Sequence, residues 1–379
     1  MSNAMSTANN SPVLESSEEN PLSLRLKRPL ARAEVLRMKA YTPGEQPQGL
    51  DLVKLNTNEN PYPPSPRVLE ALRGLGEKNV RCYPQPVATT LRAEIAQDLN
   101  VEPEQVLLGN GSDELLKLVM LGYVDREENV GYLWPTYSLY PVFVEQIGAW
   151  ERPIRWMEEG KTQEEALLSA PQDDQLFFIT NPNPPIGKST QLSYIREFAL
   201  QRPGTLVVVD EAYIAYGGET ALPLVHEGIQ NVVVSRTFSK SHSLAGMRVG
   251  FLVGHPQIID VLYRIKDSYN VNVASQVAAL ASWKDHEYTA SVIAKVVKTR
   301  ERIRQELIRR GFAVEESHGN FVFARRPDAE QVFLQLRQNN VFVRYFKTPE
   351  LEDGIRITIG TEGEMNRMLE VMDHFSATK

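Results

Sequence analysis

The stretch Leu206-Val207-Val208-Val209-Asp210-Glu211-Ala212-Tyr213 decides how this chain is read. Four apolar residues, three of them β-branched, form a short run that reads as a strand buried on both faces. Such a strand belongs to a largely parallel sheet covered by helices. The run then stops on two carboxylates. A carboxylate at the mouth of a buried strand needs a partner, because an unpaired buried charge is costly. The ordinary partner is a helix N-terminus or an ion pair, and the more specific one is a bound cation.

The same texture recurs on either side. Val106–Leu108, Leu176–Thr180, Val232–Val234 and Phe251–Val253 are further short apolar runs, with helical patterns such as Ser112–Leu121 and Ser193–Gln201 between them. The alternation predicts an α/β fold. Ligands of an open parallel sheet sit beyond the carboxyl ends of its strands, so the residues following each run are the candidates for chemistry. Val106–Leu108 leads into Gly109-Asn110-Gly111-Ser112-Asp113-Glu114 and a helix. That turn offers free amides and a helix dipole to an anion, although Ser112 is equally an ordinary N-cap. Leu176–Thr180 leads into Asn181-Pro182-Asn183-Pro184-Pro185-Ile186-Gly187, a turn held rigid by its prolines. Val232–Val234 leads into Ser235-Arg236-Thr237-Phe238-Ser239-Lys240-Ser241, with Arg248 eight residues beyond the lysine. Most lysines are solvated surface groups. One set among hydroxyls just past a buried strand, with an arginine nearby, is the kind that becomes a nucleophile.

After about residue 265 the pattern changes. An amphipathic helix is predicted over Tyr288–Arg310, with Ile293, Val296, Ile303 and Leu307 on one face and Gly311 as its cap. Strands at Asn320–Ala324, Val341–Arg344 and Ile355–Gly360, a helix at Ala329–Gln338 and a last helix complete a smaller α+β unit. Residues 1–20 are read as a tag and disordered tail, the opening Met1-Ser2-Asn3-Ala4 being an expression scar ahead of Met5. Residues 21–55 are read as an N-terminal arm and part of the small domain, 56–265 as the large domain, and 266–379 as the small domain with its linking helix.

Composition narrows the function. The chain has 379 residues, a net charge of -7 and 42% hydrophobic residues, so it is a globular protein not built to attract nucleic acid or an anionic membrane. No run reaches the roughly 20 apolar residues that span a bilayer. A single cysteine, Cys82, excludes a disulfide framework within the chain and a Cys-based zinc site, and fits the cytoplasm. Six histidines include no His-Glu-x-x-His pattern, and no metal site is expected. Gly160-Lys161-Thr162 and Gly187-Lys188-Ser189 mimic a P-loop ending. The glycine required five residues earlier is Arg155 in one and Pro182 in the other, so a nucleotide triphosphatase is rejected.

Taken in order, Asn58-Glu59-Asn60-Pro61-Tyr62, the Gly109–Glu114 turn, Pro135-Thr136-Tyr137, the Asn181–Gly187 turn, Asp210-Glu211-Ala212-Tyr213, Ser239-Lys240, Arg248 and Arg356-Ile357-Thr358-Ile359-Gly360-Thr361 resemble the fold-type I pyridoxal-phosphate aminotransferases, most closely the histidinol-phosphate aminotransferase family. The resemblance covers about Pro21 to Phe375. It implies a large domain on a mostly parallel seven-stranded sheet and a homodimer with shared active sites. It implies pyridoxal 5'-phosphate bound as an imine on Lys240, which also moves the proton between Cα and C4′. Asp210 would pair with the pyridine nitrogen, making the ring an electron sink. Tyr213 would bond the phenolic oxygen, and Tyr137 would stack on the ring. Gly111, Ser112 and Asp113 with Thr237, Ser239 and Arg248 would form the phosphate cradle, and Tyr62 would reach the neighbouring subunit's cofactor. Arg356, with Arg344 as second anion contact, would hold the substrate, with Tyr62, Tyr137 and Asn60 beside it and Tyr41 and Tyr83 as further lining candidates. The turn departs from the family: Pro184 stands where a second asparagine usually bonds the phenolic oxygen, and Ile186 replaces the usual threonine. Either Asn183 takes that role through a shifted turn, or Tyr213 holds the oxygen alone.

The reaction implied is amino transfer from histidinol phosphate to 2-oxoglutarate. Alternatives on the same scaffold are an aromatic amino acid aminotransferase and a decarboxylase or lyase. A cofactor-binding regulator without turnover is disfavoured, because the roughly 50 residues before the first motif carry no DNA-binding pattern.

Overall fold

The computed structural model describes residues 31–32, 35–36, 38, 44–49, 51–157 and 160–377. The chain divides into two compact units, residues 1–37 and 38–379. In the first, the Leu36 amide donates to the Arg32 carbonyl at 3.1 Å. The tail expected over residues 1–20 lies outside the described residues, as does Tyr41. Everything below concerns the second unit.

A short strand, β1 (Val53–Lys54), precedes the seven that build the large sheet: β2 (Val106–Gly109), β3 (Asn129–Trp134), β4 (Trp150–Arg155), β5 (Leu176–Thr180), β6 (Leu206–Asp210), β7 (Val232–Thr237) and β8 (Gly250–Gly254). Their order is β2-β8-β7-β6-β5-β3-β4. The pairs β7–β6, β6–β5, β5–β3 and β3–β4 are parallel, and β8 runs against both its neighbours. Six strands therefore point one way. Their carboxyl ends and the start of β8 share a single edge, which is where the candidate residues were expected.

Every residue of β5 and β6 is buried. Side chains alternate across a strand, so Phe177, Ile179, Val207 and Val209 enter the core on one face, while Leu176, Phe178, Leu206 and Val208 enter the core on the other. The strands β3 and β4 were not among the expected runs. β3 is interrupted by Gly131 and Tyr132, and β4 is an edge strand with no buried residue, which tolerates Pro153.

The smaller sheet is antiparallel, in the order β12-β13-β10-β9, from β9 (Ala313–Val314), β10 (Phe321–Arg325), β12 (Arg344–Tyr345) and β13 (Gly354–Thr358). The expected strand Val341–Arg344 is two strands: β11 (Val341–Phe342) pairs in parallel with β1, and β12 belongs to the other sheet. The helix expected at Tyr288–Arg310 spans His286–Arg309 and buries Val296, Ile303 and Leu307. The helix Val273–Trp283 packs differently from the plan that began the small domain at 266. Val271, Ala278, Ala279 and Trp283 are buried in the large-sheet core, so this helix goes with the large sheet.

Candidate active site

Beyond the shared strand edge lies a cleft with an inner cavity of about 160 Å³ and an outer one of about 560 Å³. Lys240, Asp113, Tyr137, Pro184, Tyr213 and Arg248 line both. The inner cavity adds Ser112, Thr180, Asp210, Thr237 and Ser239. The outer one adds Asn56, Asn58, Thr136, Arg344, Phe346 and Arg356.

The inner end is built by short connections. Gly111 has φ of +86°, and a side chain there would meet Arg248 Nη2 at 2.6 Å. At Gly250 a Cβ would lie 2.7 Å from the Ser112 amide nitrogen. Two glycines thus let the start of β8 and Arg248 close on the first turn of the helix Ser112–Tyr123. Arg248 donates to Asp113 Oδ2 at 2.9 Å and to Ser239 Oγ at 3.3 Å, and Tyr137 donates to Asp113 Oδ1 at 3.0 Å. The Ser239 amide donates to Thr237 Oγ1 at 3.1 Å. Amides, hydroxyls and one guanidinium converge there around a helix N-terminus, an arrangement that takes a phosphate.

Asp210 and Glu211 divide two tasks. Glu211 is scaffold: it accepts from Arg236 Nε at 2.9 Å and from the Ala221 amide at 2.5 Å, tying β6 to β7. Asp210 faces the cleft. It accepts from Tyr140 at 2.9 Å and from the Ala212 amide at 3.2 Å. Burial pushes its carboxyl up to about 6, against the lowering effect of those two bonds. A buried carboxylate of this kind is stabilised by a cation placed against it.

Lys240 Nζ donates to the Thr57 carbonyl at 3.3 Å and lies 5.7 Å from the centre of the Tyr213 ring. Asn60 donates to the Lys240 carbonyl at 3.0 Å. At the outer end, Arg344 and Arg356 are register partners on β12 and β13. Both guanidiniums lie over Phe346, at 5.5 and 5.6 Å from its ring centre, and Arg356 Nη2 donates to the Asn56 carbonyl at 2.8 Å.

Four of the expected positions lie outside the lining of this cleft. The Asn183 side chain does not face the cleft. Its amide donates to the Pro135 carbonyl at 3.1 Å and to Gln163 Oε1 at 3.2 Å, and its oxygen accepts from Thr136 at 2.6 Å. These bonds tie the turn to Pro135, Thr136 and Gln163 and occupy both amide hydrogens. Pro184 occupies the cleft wall instead. Tyr62 packs on the small-domain core with Lys295 5.4 Å from its ring centre, outside the lining of this chain's own cleft. Asn60 holds the lysine backbone and is not a lining residue. Tyr83 is 80% exposed and stacks on Tyr269 at 4.4 Å. Sequence reasoning missed Tyr140 and gave no task to Thr136 and Thr180, which with it form a buried chain of hydroxyls leading to Asp210. It quoted Asn58 but gave it no task, although Asn58 donates to Tyr213 at 3.0 Å.

Fold and cleft together place a lysine, a buried aspartate and a turn suited to a phosphate around one cavity. Residues 51–372 match the family model for aminotransferase class I and II. Histidinol-phosphate aminotransferase 2 of Thiobacillus denitrificans is 42% identical over 346 residues, covering 90% of this chain and 96% of that protein. The histidinol-phosphate aminotransferase of Geotalea daltonii is 39% identical, over 89% and 97%. The solved structure of histidinol-phosphate aminotransferase from Sinorhizobium meliloti, in complex with pyridoxal-5'-phosphate, superposes with a TM-score of 0.78 at 25% identity, over 85% of this chain and 91% of that one. A putative histidinol-phosphate aminotransferase from Erwinia carotovora atroseptica gives 0.80 at 26%, over 86% and 96%. The chain belongs to the class I and II aminotransferases and, within them, to the histidinol-phosphate aminotransferase family. Among the described residues no helix is long and apolar enough to cross a membrane.

Proposed function

We propose that this chain transfers the amino group of histidinol phosphate to 2-oxoglutarate, giving imidazole-acetol phosphate and glutamate, with pyridoxal 5'-phosphate as cofactor. The observation that carries the substrate reading is the Arg344–Arg356 pair across one register of β12 and β13, flanking Phe346. A guanidinium fork suits a phosphate and a carboxylate alike, which matches a site whose two amino substrates alternate between those anions. The names of the relatives support the same choice.

The residues present fit the cofactor. The cradle of Ser112, Ser239 and Arg248, closed over Gly111, would take its phosphate, with Thr237 beside it. Asp210 would sit against its ring nitrogen, Tyr137 against its face and Tyr213 at its phenolic oxygen. Pyridoxal phosphate supplies an electron sink for the pair left when a proton is removed beside the substrate nitrogen. The chain supplies the rest. Lys240 Nζ would anchor the cofactor and move the substrate proton. Asp210, ionised beside a ring cation, would keep that ring nitrogen protonated. The hydroxyls of Tyr140, Thr180 and Thr136 orient the carboxylate from behind. Arg344 and Arg356 hold the anionic end of either substrate.

The chain works in this reading as a cytoplasmic homodimer with shared active sites, Tyr62 serving the neighbouring cleft. The exposed group of Val80, Tyr83 and Tyr269 is apolar surface that a second copy would cover, and sedimentation showing only monomers would remove that part. Steady-state assays decide the substrate. Histidinol phosphate is expected to exceed phenylalanine in kcat/KM. A tenfold preference for phenylalanine would make the protein an aromatic aminotransferase, and released CO₂ in place of an oxo product would make it a decarboxylase.

A further inference from the structure

The corner of the cleft beside Lys240 is short of donors. Pro184 has none, and the Asn183 amide is spent on the Pro135 carbonyl and Gln163. Tyr213 remains, and its oxygen already receives a bond from Asn58 Nδ2 at 3.0 Å. The orientation of that amide is fixed by its own partners. The Asn58 backbone N–H donates to Thr358 Oγ1 at 3.0 Å, and the Thr358 hydroxyl donates to Asn58 Oδ1 at 2.9 Å. Asn58 Oδ1 is therefore the acceptor and Nδ2 must point at Tyr213. A phenol that accepts from Asn58 keeps its single hydrogen for the cleft. Asn58, Thr358 and Asn320, which donates to the Asn58 carbonyl at 3.0 Å, are almost wholly buried, so water does not compete for these bonds. Asn58 also has φ of +53°, a conformation that asparagine tolerates better than most residues.

We infer that Asn58 is a positioning residue for Tyr213: locked by Thr358, it aims the phenol hydrogen at the cofactor's phenolic oxygen and stands in for the donor that Pro184 lacks. The inference rests on the pyridoxal-phosphate reading above. A donor to that oxygen holds electron density on it and makes the proton on the adjacent Lys240-derived nitrogen easier to remove. Weakening the donor raises the pH at which the bound chromophore loses that proton.

The test is a pH titration of the visible absorbance of the holoenzyme. Asn58→Gly keeps the positive φ and removes the amide. It is expected to raise the midpoint by roughly half a unit to one unit. Thr358→Val removes the lock and is expected to shift the midpoint the same way, while Thr358→Ser restores the parent value. Tyr213→Phe should raise the midpoint by itself, and adding Asn58→Gly to it should then move nothing further. An unmoved midpoint in both Asn58→Gly and Thr358→Val, with cofactor bound, overturns the inference. An equal shift from Asn58→Gly with and without the Tyr213 hydroxyl also overturns it, because the residue would then act by another route. Absence of any lysine-bound chromophore in the parent protein would instead overturn the cofactor reading, and the inference with it.

Discussion

The two ends of the cleft are built on different plans. At the inner end the charged groups are held by fixed partners: Arg248 donates to Asp113, and Asp210 accepts from Tyr140 and the Ala212 amide. The groups stand on the ends of buried strands and on turns of a few residues. At the outer end two cations share one aromatic ring on the short strand β12 and its neighbour β13. On the proposed reading the inner end is the socket for one resident group and the outer end the anion site for exchangeable substrates, so that chemistry and selectivity would reside on different sheets.

That division is open to attack, first where the effect should be largest. Lys240→Ala should lower turnover by about 10⁴-fold or more and abolish the borohydride-fixed label. A label found on another lysine would break the inner plan outright. Asp210→Asn should lower kcat by roughly 10²–10³-fold, and it has a second signature. The folded carboxyl titrates near 6, above the usual value of about 3.9 for the unfolded chain. The fold therefore prefers the protonated form, and stability present below about pH 4 is lost as pH rises through about 6. Without cofactor, Asp210→Asn should be more stable than the parent above pH 6, by about 3 kcal/mol in urea unfolding, and should show no such gain near pH 4. Arg356→Ala and Arg344→Ala should act on KM more than on kcat, by roughly 10–100-fold. If either lowers kcat as much as Asp210→Asn, the outer end is part of the chemistry. Gly250→Ala is expected to have the smallest effect. Its Cβ meets the Ser112 amide, so it should cost about 1–3 kcal/mol of stability and weaken cofactor binding.

Much of the inner end could be read from the sequence, because it follows a local rule. A strand buried on both faces announces itself as an apolar run, and the functional groups of a parallel sheet come just after such runs. Asp210, Lys240 and the Gly111–Ser112 turn were found that way. The polar edge strand β4 gave no such sign, and β11 and β12 looked like one strand because Val341–Arg344 is continuous in pattern while its pairing is not. The hydroxyl chain of Tyr140, Thr136 and Thr180 was invisible for another reason. Thr136 stands in a quoted motif, Thr180 at a strand end and Tyr140 in a helix, and only the meeting of the three segments makes them a unit. Of the two alternatives left at the phenolic oxygen, the sequence could not choose, because an asparagine that ties its turn to Pro135 and Gln163 has the same sequence address as one that faces the cleft.

Arg356 donates to the carbonyl of Asn56, Lys240 to that of Thr57, and Tyr213 receives the amide of Asn58. Three consecutive residues therefore touch the anion end, the reactive amine and the phenol of the cleft. Successive Cα atoms across a trans peptide lie about 3.8 Å apart, and β1 fixes where this tripeptide begins. It works as a caliper, setting the reach from amine to anion by the length of covalent bonds. A one-residue insertion between Asn56 and Asn58 would reset that span in a single step, which makes this the place to regauge the enzyme for a longer or shorter amino donor.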